Sequence, residues 1–139
     1  MGTKIAALIT INDNHLSQQA LYLAYKQQSG KLLNLADVYL IAIVNQEQAF
    51  LAHVDDYFSK VKTELLHTAA SFLLNNMSGI NTAKQLHIHR NTLLYRLNSF
   101  QQLTKINLHD FDDASFFRFW WFSHQGNQLC TMHKTHYAT

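Results

Sequence analysis

Between positions 84 and 96 stand Lys84, His89, Arg90, Asn91, Thr92, Tyr95 and Arg96. These side-chain types bind nucleic acid. Arginine pairs bidentately with guanine or with phosphate, and asparagine with adenine. Lysine, threonine and tyrosine hold phosphate oxygens, which fixes register without reading sequence. Arg90, Asn91 and Thr92 are consecutive. At the start of a helix they would sit among free backbone N–H groups at the positive end of the helix dipole. Lys84 and Arg96 suit backbone contact better than base reading. Plainer roles stand beside these. Asn91 or His89 can simply cap a helix, Arg90 can be a solvated surface arginine, and Tyr95 can belong to a core.

Charge placement favours the nucleic-acid reading. Residues 65–109 contain no Asp or Glu but hold Lys84, Arg90, Arg96 and Lys105, a local charge of +4. The flanking stretches 1–64 and 110–139 each carry −1, so the chain's net +2 hides the contrast. A basic segment of this kind attracts a phosphate backbone. A solvated basic face without a partner is the bland alternative.

Other chemistries find less support. Cys130, His133 and His136 stand at two-residue gaps, but a structural zinc site needs about four converging ligands and no second pair matches them. His87 and His89 flank Ile88, where capping or DNA contact suits them better than ligation. No metal and no cofactor is expected. The four glycines, Gly2, Gly30, Gly79 and Gly126, are too far apart for a phosphate-cradling GxGxxG or GxxxxGK[ST] loop. No GxSxG or HExxH occurs, and Cys130 is the lone cysteine. An enzyme is not expected.

These residues need elements to position them. The chain has 139 residues, 47% hydrophobic and 14% charged, enough for a buried core. It has no proline, so few breakers interrupt a mostly helical chain. The apolar run Lys4–Ile11 reads as a short N-terminal strand. Leu16, Ala20, Leu23 and Ala24 recur at helical spacing, with Gly30 as a stop. Asn34 can cap a buried helix over 35–44, with Asp37 in its first turn. Ala49, Phe50, Val54, Tyr57, Phe58 and Val61 mark an amphipathic helix. Thr63 reads as the cap of a helix over 64–76. Residues 75–81 read as a polar connection. Thr82–Leu86 then reads as a short helix, His87–His89 as a tight turn, and Arg90–Leu103 as a longer helix. Ala83 is small where two helices must cross, Ile88 plugs the turn, and Leu93, Leu97 and Phe100 form an inner stripe. This is the pattern of a helix-turn-helix. The run 114–122 is apolar almost all round, so it is either core or a partner's contact surface.

The string His87-Ile88-His89-Arg90-Asn91-Thr92-Leu93-Leu94-Tyr95-Arg96-Leu97 resembles the C-terminal helix-turn-helix of the PucR and sugar-diacid-regulator (CdaR) family. These are bacterial transcription regulators with a Fis-like DNA-binding module. Thr82–Leu86 resembles that module's first helix, and Leu103–Leu108 with 110–113 its link to the last one. Lys105 stands where the family often has glycine, and Leu94 where a polar or basic residue is common. Ala20–Ala24, Leu35–Val44 and Phe50–Val61 more weakly resemble helices that join a degenerate GGDEF-like domain to the DNA-binding end. The resemblance implies three parts. Residues 1–62 would be a helical linker region and remnant of a GGDEF-like domain, 63–124 a PucR-type DNA-binding domain, and 125–139 a disordered tail.

The expected fold is therefore a mostly α helical bundle ending in a helix-turn-helix. The expected function is a sequence-specific regulator that binds double-stranded DNA with the helix 90–103 in the major groove. A homodimer suits half-site recognition, its contacts coming from 114–122 or from the helices over 35–61. The alternative is a helical dimerisation or protein-interaction module that has lost DNA binding. No apolar run reaches the ~18 residues of a membrane span, and the start lacks a signal-peptide pattern. A cytoplasmic location is expected, with no small-molecule ligand for this chain.

Overall fold

A computed structural model describes the backbone at residues 8–9 and 33–136, and side chains over 34–125. Among the described residues six helices follow one another: α1 (Leu35–Val44), α2 (Gln48–Ser59), α3 (Thr63–Leu74), α4 (Gly79–Gln85), α5 (Arg90–Thr104) and α6 (Phe111–His136). The fold is a mostly helical bundle containing a helix-turn-helix. Of the strand read over Lys4–Ile11, the described residues include β1 (Leu8–Ile9). It pairs in parallel with β2 (Leu33–Asn34), Leu8 opposite Leu33. The helix read from Leu16 to Ala24 lies outside the described residues.

Local chemistry sets the helix starts. Asn34 Oδ1 accepts the Asp37 N–H at 3.0 Å, and Asp37 Oδ2 accepts the Asn34 N–H at 3.2 Å. This reciprocal capping box satisfies two of the free donors at the start of α1. At α3 the cap expected from Thr63 is not formed. Lys62 holds the N-cap position without a side-chain bond, and Thr63 is already helical. Ser78 starts α4 earlier than the sequence suggests. Its Oγ accepts the Asn81 N–H at 3.3 Å, so the helix begins at Gly79, inside the stretch read as a polar connection. The last helix continues past the expected end of the domain, with helical backbone to His136.

A single apolar cluster runs from Leu35 to Trp120. It draws on α1, α2, α3, α5 and α6, and so crosses the boundary expected between residues 62 and 63. Aromatic rings form its centre. Phe58 of α2 stacks on Trp120 of α6 with centroids 4.1 Å apart. Phe117 meets Phe100 of α5 edge-on at 4.9 Å, and Phe116 meets Tyr39 of α1 at 5.8 Å. Such pairs add about 0.5–1.5 kcal/mol each beyond area burial. The run 114–122 thus gives Phe116, Phe117 and Trp120 to the chain's own core, while Phe122 stays half exposed. α1 leaves Leu40, Ile43 and Val44 exposed.

Candidate nucleic-acid interface

The helix-turn-helix is α4, the turn 86–89 and α5. α4 packs through Thr82 and Ala83, both buried, and α5 through Leu93 and Phe100. Thr82 can be buried because its hydroxyl donates to the Ser78 carbonyl at 2.7 Å. The turn is closed by the Ile88 N–H, which donates to the Ala83 carbonyl at 3.0 Å. His87 takes a left-handed φ of 53° there. α5 ends on buried Thr104, whose hydroxyl donates to the Phe100 carbonyl and accepts the Ile106 N–H. The Tyr57 hydroxyl of α2 donates to the Thr104 carbonyl, which ties that end to the bundle.

This frame leaves the tip of α5 in solvent. Arg90, Asn91 and Thr92 form its first turn and all three are exposed. His89 is the N-cap, its Nδ1 accepting the Asn91 N–H at 3.2 Å. The capping role therefore belongs to the His89 side chain, and the Asn91 side chain is left outside it. With Nδ1 accepting, a neutral His89 ring carries its proton on Nε2. Tyr95 is 72% exposed, so it is not a core residue. Lys84 is exposed on α4, and among the described residues it makes no ion pair.

Arg96 is placed differently. It is ion-paired with Glu64 of α3. Beside this pair runs a groove of about 500 Å³, with Lys62 and Glu64 on one wall and Thr92, Tyr95, Arg96 and Ser99 on the other. The acid-free stretch 65–109 thus receives a counter-charge from the residue just before it. Two further residues escaped the sequence reading. Asn98 and Gln102 are exposed on the same outer ridge as Asn91 and Tyr95. The spacing 91, 95, 98, 102 carried that signal, since it is the helical complement of the inner stripe 93, 97, 100, 104, in which Leu97 is partly buried and the others buried.

Comparison with known proteins bears on this helical pair. Residues 65–119 match the family model of the PucR C-terminal helix-turn-helix domain. The PucR-type match runs from α3 into α6 and includes each candidate contact from Lys84 to Arg96. Three relatives share parts of the chain. The proline-responsive transcriptional activator PutR of Bacillus subtilis (strain 168) is 43% identical over 67 residues, 48% of this chain and 16% of that protein. The carbohydrate diacid regulator of Escherichia coli (strain K12) is 47% identical over 49 residues, 35% of this chain and 13% of that protein. A leucine-rich protein of Streptococcus dysgalactiae subsp. equisimilis is 33% identical over 94 residues, 66% of this chain. The chain spans a third of that protein's length. No solved structure matches the chain. The C-terminal part is thus distantly homologous to PucR- and CdaR-type regulators.

Among the described residues no group of three metal-ligating side chains converges. The side chains of Cys130, His133 and His136 lie outside them. No helix of the described residues is long and apolar enough to cross a membrane.

Proposed function

We propose that this chain is a sequence-specific, double-stranded-DNA-binding transcription regulator of PucR/CdaR type, with α5 in the major groove. The observation that carries this reading is the exposed Arg90–Asn91–Thr92 tip on a helix-turn-helix of PucR type. Arg90 pairs with guanine or phosphate, and Asn91 reads adenine or holds a phosphate. Thr92, the Tyr95 hydroxyl and the His89 Nε2–H contact phosphates. Lys84 and Lys105 steer the duplex in, and Arg96 adds to the backbone contact to the extent that Glu64 releases it. The names of PutR and the carbohydrate diacid regulator support transcriptional control as the outcome. The reading includes a homodimer on two-fold symmetric DNA and a cytoplasmic location, and it includes no catalytic step.

The test is a salt titration of binding to mixed duplex DNA. Affinity should fall steeply and log-linearly with salt. Absence of binding at low salt overturns the proposal and leaves the interaction-module reading, which the half-exposed Leu94 and the neutralised Arg96 favour. Arg90→Ala should cost about 1–3 kcal/mol on a cognate site. Light scattering at micromolar concentration should give twice the chain mass.

A further inference from the structure

We infer that α5 reads a run of A·T pairs, with Asn91 and Asn98 bonding adenines and Leu94 covering a thymine methyl, and with Arg90 fixing a guanine at one edge. The inference rests on the proposed DNA binding and concerns which duplex is bound.

The geometry follows from which side of α5 is buried. Leu93, Phe100 and Thr104 face the core. At 3.6 residues per turn, Asn91, Tyr95 and Asn98 then lie along the opposite ridge, with Leu94 beside it. Asn91 and Asn98 are seven residues apart, about 10.5 Å along the helix. That is about three steps of the ~3.4 Å base-pair rise. The ridge is therefore long enough to span a short run of pairs.

The chemistry of the ridge narrows the sequence. Among the described residues the carboxamides of Asn91 and Asn98 have no hydrogen-bond partner. Asn75, by contrast, donates to the Ser71 carbonyl, and Asn107 accepts the His109 N–H. A free carboxamide on a recognition helix matches the N6/N7 edge of adenine. Leu94 is 47% exposed beside the ridge, and the thymine methyl is the apolar feature of the major groove. α5 contains no Asp or Glu, the carboxylates that most often accept from cytosine N4. Its guanidinium groups are Arg90 and Arg96, and Glu64 holds Arg96. One guanine reader remains, at the helix tip.

The experiment is selection of bound duplexes from a randomised library by the full chain, followed by binding measurements on the enriched site. The expected site is an A·T-rich run bordered by a G. Asn98→Ala, at an exposed position, should lose about 5- to 150-fold on that site and relax its preference for A at one pair. Replacing the central thymines by deoxyuridine should weaken the native chain but not Leu94→Ala. Enrichment of G·C-rich sites, or tight binding without enrichment, overturns this inference and leaves DNA binding standing. A deoxyuridine penalty that persists in Leu94→Ala also counts against it. No binding at low salt overturns the proposed function as well. Circular dichroism of both variants distinguishes a lost contact from a lost fold.

Discussion

Arg96, midway along α5, is ion-paired with Glu64 at the start of α3. The two residues are 32 positions apart in the chain. Their pairing makes one of the four cations of the acid-free segment part of the scaffold. The Arg96 side chain is 21% exposed and that of Glu64 58%, so the pair sits at the rim and contributes at most about 1 kcal/mol to stability. Its greater effect is on the number of charges free to meet phosphate.

Salt dependence should reveal that difference. Lys84→Gln removes an exposed cation with no ion pair among the described residues. It should lower the slope of log affinity against log salt by about 1. Arg96→Gln should lower it by clearly less, because Glu64 already neutralises that charge. Fluorescence anisotropy on one duplex at four or five salt concentrations measures both. Equal drops would mean that Arg96 leaves Glu64 when DNA arrives.

Lys105 offers a stability test. It closes α5 in the left-handed conformation, φ 60° and ψ 13°, its N–H donating to the Gln101 carbonyl at 2.8 Å. A side chain makes this conformation costly and glycine adopts it freely. Lys105→Gly should raise stability by about 1 kcal/mol, read as a higher urea midpoint at unchanged slope. It should also weaken DNA binding slightly by removing a cation. A lower midpoint would show that the lysine stem packs where glycine cannot.

The sequence makes the periodic parts of this fold legible. Phe50, Val54 and Phe58 recur every four residues and are all buried in α2. The start of α5 at Arg90 follows from the change from turn residues to a 3.6-residue stripe. The Asn34–Asp37 capping box is likewise visible as a local pattern. What escaped depends on contacts between distant positions or on competing local signals. Glu64 lies just outside the basic segment, and nothing local announces that it returns to Arg96. Gly79 reads as a breaker, yet the Ser78 cap makes it the first residue of α4. His89 could cap or contact DNA, and the Asn91 N–H donated to its Nδ1 assigns the cap without removing the outer ring edge.

Asp113 gives the fold a pH dependence of predictable sign. Burial pushes its carboxyl above the ordinary range. The Asn107 N–H, donated at 2.9 Å, opposes this, and the charges of Asp110 and Asp112 add to it. A carboxyl raised in the folded state favours folding when protonated. Its contribution is full below the unfolded pKa and is lost as pH rises through the folded one. Asp113→Asn keeps an oxygen for the Asn107 N–H and removes the charge. The variant should match the native chain in acid and exceed it in stability as pH rises above the carboxylate range, with a plateau toward neutrality. Urea midpoints across that range check it. A variant less stable at neutral pH would mean that the attraction of the α6 N-terminus for a negative charge outweighs burial and repulsion.

Asp55 and Trp120 link the upstream helices to the end of the PucR-type match. The Trp120 Nε1–H donates to Asp55 Oδ1 at 2.8 Å, while the indole lies 4% exposed against Phe58. Asp55→Ala leaves that donor without its partner and should cost about 1–3 kcal/mol. Trp120→Phe also loses ring area, so the informative quantity is the double variant. Its cost should fall short of the sum of the single costs, because the hydrogen bond can be lost only once. The shared core predicts more. α2 and α6 meet in one aromatic cluster, so weakening the pair should shift the unfolding of the described helices together. Far-UV circular dichroism, which follows all the helices, and near-UV dichroism, dominated by Trp120 and Trp121, should keep a common midpoint in Asp55→Ala. Separate midpoints would show that the helices upstream of α3 form a unit of their own and that the stacked rings join two cores rather than build one.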